Sequence, residues 1–191
     1  QVLGRNLHGI PAGEGWVPTA DQIIAGLTES CGGLLINSPN NPSGHVIDKA
    51  SLEAIAEHAH QVKMPVMSDN AYEAYYLTGK DPVHVPFASV SGKAMDVGIE
   101  IWSFSKSAAA CGTRVGFMAT RNTKGLQYLT QVLSSFYTSP NHLLQLAIAE
   151  SIDSLPSFGE EQTAKYRDRS QAFLAGLQSG GGNAHSTRFS D

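Results

Sequence analysis

Lys106 closes the run Ile101-Trp102-Ser103-Phe104-Ser105-Lys106, where an apolar stretch from Val97 to Trp102 ends in hydroxyls and one amine. A lysine delivered to a cleft by a strand attacks carbonyl carbons once its ammonium is made easier to deprotonate. Cys111-Gly112-Thr113-Arg114 follows. An arginine binds phosphate or carboxylate through two parallel hydrogen bonds. An amine and a guanidinium this close in sequence suit an aldehyde that carries an anion. Two further polar clusters also follow apolar runs: Asn41 after Leu34-Leu35-Ile36, and Asp69 with Tyr72 after Pro65-Val66-Met67.

These residues need elements to place them. Leu34-Leu35-Ile36 and Pro65-Val66-Met67 are continuous apolar runs, expected as strands buried on both faces. Between them lies the dense turn signal Asn37-Ser38-Pro39-Asn40-Asn41-Pro42-Ser43-Gly44. A helix follows, with Ser51 as its expected N-cap and Leu52, Ile55, Ala56, Ala59 and Val62 on one face. Strand, helix and strand this closely spaced predict a right-handed unit with parallel strands. Val97 to Trp102 is expected as a third strand. Val115 to Ala119 is expected as a fourth, antiparallel because the turn before it is short.

Upstream, Thr19-Ala20-Asp21-Gln22 has capping-box spacing and opens a helix with Ile23, Ile24 and Leu27, which Gly32-Gly33 should stop. Residues 78–96 read as an irregular connection broken by Pro82, Pro86 and Gly92. Residues 124–138 and 141–155 read as helices. The first turns Leu126, Leu129, Val132 and Leu133 inward; the second turns Leu143, Leu144, Leu146, Ala147 and Ile148 inward. Pro156-Ser157-Phe158-Gly159 reads as a break before a polar helix, Glu160 to Leu177, acidic first and basic later. In an open parallel sheet, ligands bind outside the carboxyl ends of the strands. The three polar clusters are therefore expected on one side of one α/β sheet.

The 191 residues, 41% hydrophobic and 16% charged, suit a globular domain with or without an appendage. A net charge of -4 leaves no basic footprint for nucleic acid. No apolar run reaches the length of a membrane span, and no signal-peptide pattern opens the chain. Cys31 and Cys111 form neither a ligand pair nor a disulfide framework, which fits a reducing cytoplasm. His58 and His60 lie two apart and share no helix face. No His/Cys/Asp/Glu set has metal-ligand spacing, and no glycine-rich phosphate loop is present. The chain opens on Gln1 and closes on a polar stretch from Gly180 to Asp191. Neither end reads as a natural domain terminus, so a piece of a longer polypeptide is expected.

Asn41-Pro42-Ser43-Gly44, Asp69-Asn70-Ala71-Tyr72, Ser103-Phe104-Ser105-Lys106 and Arg114, in this order, resemble the pyridoxal-phosphate-dependent aminotransferases of class I/II, fold type I. Each motif alone is common; their order is specific, and the resemblance is strongest over residues 34–120. The stretch from Gly98-Ile99-Glu100 through Arg114 looks closest to the LL-diaminopimelate aminotransferase branch. The resemblance implies an α/β fold with a central, mostly parallel sheet and helices on both faces. It implies that residues 1–157 are part of the cofactor-binding large domain. Residues 158–191 would be a linker helix toward a small C-terminal domain that is mostly absent.

The same resemblance assigns roles. Lys106 would form the Schiff base with pyridoxal 5'-phosphate and then act as general acid–base. Asp69 would pair with the pyridine nitrogen, and Tyr72 and Asn41 would bond the ring's phenolic oxygen. Arg114, Ser103 and Ser105 would hold the phosphate, and Gly112 and Gly116 would let the backbone turn tightly beside it. An amino acid and a 2-oxo acid would be the substrates, and a homodimer the assembly. The family's ring-stacking aromatic and its carboxylate-binding arginine have no match here, and Arg188 stands in no matching context. Two alternatives stay open: a fold-type-I lyase, because cofactor motifs do not fix the fate of a carbanion, and a truncated, non-catalytic fragment.

Overall fold

In the computed structural model, residues 6–11, 18–74, 84–137 and 139–179 are described. The 78–83 part of the connection and the polar tail with Arg188 lie outside the described residues.

Thr19 caps α1 (Ala20–Gly26) through the expected box: its hydroxyl accepts the Gln22 N–H at 3.2 Å, and the Gln22 side chain accepts the Thr19 N–H at 2.8 Å. The helix ends at Gly26, well before Gly32-Gly33. After β1 (Leu34–Asn37) comes α2 (Lys49–Gln61), whose cap is Asp48 and not Ser51. Asp48 accepts the Ser51 N–H at 2.9 Å and the Ser51 hydroxyl at 2.7 Å. A carboxylate takes both bonds and suits the positive end of the helix dipole, so the cap moves three residues upstream. β2 (Val66–Asp69) follows.

The expected irregular connection holds a 3-10 turn (Phe87–Ser89) and α3 (Gly92–Val97). Gly92 opens that helix instead of breaking it, because the Ser91 hydroxyl accepts the Ala94 N–H at 3.1 Å. Val97 therefore belongs to α3, and β3 begins one residue later (Gly98–Ser103). Then come α4 (Phe104–Ser107), β4 (Gly116–Ala119), α5 (Thr123–Phe136), α6 (His142–Ser151) and α7 (Leu155–Ser179).

The sheet order is β1-β2-β3-β4. β1, β2 and β3 are parallel, with Leu34, Val66 and Gly98 in register at one end and Asn37, Asp69 and Ile101 at the other. β4 runs against β3: Trp102 stacks on Phe117 at 5.0 Å, while the Thr120 hydroxyl donates to the Gly98 carbonyl at 2.8 Å. The result is the α/β architecture expected, with a mixed sheet.

The chain divides into two compact units. The first comprises Gln1–Asn70, His84–Trp102 and Phe117–Thr138. Its core joins Leu34, Ile36 and Val66 to Ile23, Leu52, Ile55, Ala56, Ala59, Phe87 and Ala94 from α1, α2, the 3-10 turn and α3. The strands are buried on one face, not two: Leu34 is 6% exposed but Leu35 57%, and Met67 38%. Helices cover the Leu34 face; among the described residues nothing covers the Leu35 face to the same degree. Val62 follows α2 as its C-cap and is half-exposed, outside the predicted buried stripe. In α5, Leu126 and Leu133 are also exposed, against expectation.

The second unit comprises Ala71–Val83, Ser103–Gly116 and Ser139–Asp191. In α6 only Ile148 is buried; Leu143 is 74% exposed and Leu146 is exposed as well. The predicted break at Pro156–Gly159 is absent, and α7 runs through it. Pro156 falls in the first turn of the helix, where a missing N–H loses no partner. The Thr163 hydroxyl donates to the Ala74 carbonyl at 2.9 Å, which fastens α7 within its unit. No helix among the described residues is long and apolar enough to cross a membrane.

Candidate active site

In the first unit, the parallel register brings the last residues of β1 and β2 side by side as Asn37 and Asp69. The Asn37 side-chain amide donates to the Asp69 carbonyl at 3.2 Å, and the Ser38 N–H donates to the same oxygen at 3.2 Å. On its other side, the Asn37 carboxamide oxygen accepts the Asn41 N–H at 2.8 Å. Asn37 thus ties two predicted site residues, Asn41 and Asp69, to one edge of the sheet. Sequence reasoning passed it over, because a strand-final asparagine reads as turn chemistry. The turn beyond is held by Asn40, whose side chain accepts both the N–H and the hydroxyl of Ser43, at 3.3 and 2.8 Å. Gly44 closes it at a φ of 73°, a conformation that would strain any residue with a Cβ. Asp69 is half-buried, and Asn41 is exposed.

In the second unit, Ser103 caps the single turn of α4. Its hydroxyl accepts the Ser105 N–H at 3.2 Å, and its carbonyl accepts the Ser107 hydroxyl at 3.3 Å. The turn closes when the Ala108 and Ala110 N–H groups bond the Phe104 carbonyl, at 3.2 and 3.3 Å. Lys106, half-buried in this turn, holds its ammonium 5.5 Å from the centroid of the Tyr72 ring. That is the range of a cation–π contact, and it keeps amine and phenol in one place.

The loop that follows is pinned at its base, because the Phe104 N–H donates to the carbonyl of buried Val115 at 3.2 Å. Inside it, Ala109 (φ 48°) and Arg114 (φ 56°) adopt left-handed backbone. The tight turning expected of Gly112 and Gly116 falls on these two instead; among the described residues only Gly44 is a glycine with positive φ. A non-glycine residue there costs about 1–2 kcal/mol, and such outliers cluster at functional loops. The Arg114 guanidinium donates one N–H to the Cys111 carbonyl at 2.9 Å. Guanidinium has five N–H donors, so the fork is oriented by this bond and not consumed by it.

Within the second unit, an amine, a phenol, hydroxyls and a guanidinium are the group types that an aldehyde, a phenolic oxygen and a phosphate of pyridoxal phosphate would call for; within the first unit, a carboxylate and an amide suit its ring nitrogen and phenolic oxygen. No group of three or more His, Cys, Asp or Glu among the described residues is placed to hold a metal.

The chain matches the family described as aminotransferase class I and II over residues 6–186. It is 28% identical over 180 residues to the LL-diaminopimelate aminotransferase of Dehalococcoides mccartyi, covering 93% of this chain and 45% of that one. The aspartate/prephenate aminotransferase of Thermus thermophilus is 29% identical over 167 residues, 86% of this chain and 42% of that one. Among solved structures, N-succinyldiaminopimelate aminotransferase from Mycobacterium tuberculosis aligns with a TM-score of 0.79 at 27% identity, covering 90% of this chain and 44% of that one. The chain spans less than half the length of these relatives.

Proposed function

The chain belongs to the class I and II aminotransferases, and on that premise we propose that it carries the cofactor-binding part of an enzyme moving an amino group between an amino acid and a 2-oxo acid. The cofactor of this family is pyridoxal 5'-phosphate. The observation that carries the reading is Lys106, set in a one-turn helix with its ammonium 5.5 Å from the Tyr72 ring.

When bound, the cofactor supplies an aldehyde and a ring that draws electrons from the substrate's α-carbon. Lys106 Nζ would hold the aldehyde, and its free amine would take up the proton from the substrate's α-carbon. Asp69 would face the ring nitrogen and favour its protonated form. Tyr72 and Asn41 would bond the phenolic oxygen, and Ser103, Ser105 and Arg114 would bind the phosphate.

LL-diaminopimelate is the proposed amino donor. Its support is the likeness of Gly98 through Arg114 to that branch, together with the Dehalococcoides mccartyi relative. A cytoplasmic homodimer is the proposed assembly. Residues 1–157 are proposed as large domain, with the exposed polar helix beyond them leading toward a substrate-binding domain.

The test is Lys106→Ala in the full-length protein. Wild type with cofactor should show a visible absorption band that the variant lacks, and turnover should fall about 100- to 10,000-fold. An unchanged band and rate would overturn the assignment. A single turnover that releases the 2-oxo acid of diaminopimelate without ammonia supports group transfer; ammonia or a side-chain fragment points to a lyase. Equal rates with aspartate would remove the proposed donor preference.

A further inference from the structure

Glu100 lies in β3, only 2% exposed, as the register partner of Ser68. A carboxylate this deep is rare and persists where hydrogen bonds satisfy it. One of its oxygens accepts the backbone N–H of Ala88, and the other accepts the Asn70 side-chain amide at 2.6 Å. Asn70 is 1% exposed and directly follows Asp69. Its carboxamide also donates to the Ser68 carbonyl at 3.1 Å and accepts the Ser68 hydroxyl at 3.4 Å.

The peptide between Asp69 and Asn70 is held from both neighbouring strands. Its carbonyl accepts from Ser38 and Asn37, and its N–H donates to the Ile101 carbonyl at 2.9 Å. Side chains alternate along a strand, so Ser68 and Asn70 share the buried face with Glu100, and Asp69 takes the opposite face. Glu100 therefore reaches Asp69 only through the backbone that Asn70 anchors. An apolar residue at this position would leave the Ala88 N–H and the Asn70 amide without this acceptor. What the network adds is direction.

We propose that Glu100 is a positioning residue for Asp69: through Asn70 it fixes the backbone at the end of β2, and with it the line along which the Asp69 carboxylate leaves the sheet. The inference rests on Asp69 being the partner of the cofactor's ring nitrogen.

Glu100→Gln keeps the shape of the side chain but sets an N–H against one of the two donors. In the full-length enzyme with cofactor, kcat should fall about 10- to 100-fold, the loss that a misplaced catalytic group gives. KM for the amino donor should stay within about threefold, because ground-state binding is untouched. The pH at which the visible band changes should move. In the cofactor-free protein, deuterium uptake over residues 68–72 should rise while uptake over α2 does not. Asn70→Ala should repeat this pattern.

Uptake that rises over α2 as well, with KM rising as kcat falls, marks general loosening and overturns the proposal. If Asp69→Asn leaves the visible band and turnover at wild-type values, the role of Asp69 fails and the inference with it. If Asp69→Asn removes turnover while Glu100→Gln matches wild type in rate, band and exchange, the inference alone is overturned.

Discussion

A methyl group added at Gly98 would sit 2.7 Å from the Ala94 carbonyl oxygen, 3.2 Å from the Ala88 Cβ and 3.3 Å from a Phe87 ring carbon. The φ and ψ of Gly98, -75° and 140°, are open to any residue, so the demand is for space alone. The nearest obstacle is backbone within α3, which cannot swing aside as a side chain can. Gly98→Ala should destabilise the protein by about 1–3 kcal/mol, the usual range for overpacking, as read from the urea midpoint. A midpoint equal to wild type would show that α3 can slide. At this scale Lys106, Asp69, Tyr72 and Arg114 stand out in the sequence as candidates, because reactive side chains are visible as residue types. It was uninformative about Asn37, whose importance comes from bonding Asp69 across 32 positions of chain. The strain on Arg114 was equally hidden, since neighbouring glycines were the natural place to expect it.

Among the elements, α2 shows what a cap contributes. Asp48 accepts from both the hydroxyl and the backbone of Ser51, and these bonds hold its carboxyl below the ordinary value. Replacing Asp48 by Ala should cost about 1 kcal/mol at neutral pH in thermal or urea melts. The sign follows from the lowered value: the charged cap is favoured in the folded state, so its contribution is complete above the usual carboxylate range and disappears as pH falls through the folded value. The difference between wild type and Asp48→Ala should therefore shrink in acid; a difference constant down to strongly acidic pH would rule out the charged cap. The helix itself was readable from its apolar period, and the strands from their short apolar runs. α3 was missed because six residues carry little periodicity, and the capping of Ser91 outweighs Gly92. The expected start of α7 at Glu160 falls late, because a proline in the first turn of a helix does not stop it.

For the molecule as a whole, His84 gives the sharpest prediction. Burial pushes its pKa down from the usual 6.5 to about 4. An unfolded chain takes up the proton near the ordinary value, whereas the folded one resists until much lower pH. The unfolded state then binds more protons, so stability is lost as pH falls from about 6.5 toward 4. His84→Gln should flatten that part of the stability–pH curve, measured by urea melts at several pH values. A curve as steep as wild type would assign the acid loss to other groups. The same scale explains the helices whose apolar faces stay open. Leu143, Leu146 and Phe136 follow the helical period but remain exposed. Periodicity says that a face will be covered, and not by what. This chain spans less than half the length of its relatives.

The strand–helix–strand unit around α2 and the parallel pairing of the first three strands could be derived from the sequence, because they follow from apolar period, turn chemistry and chain connectivity, which act over a few residues. Which face of each strand is buried, which glycines are needed for space and where Glu100 finds its partners were decided only by the tertiary structure. The Glu100–Asn70 bond joins residues 30 apart. Such a contact exists only once β2 and β3 lie side by side, and no local pattern in either segment encodes it.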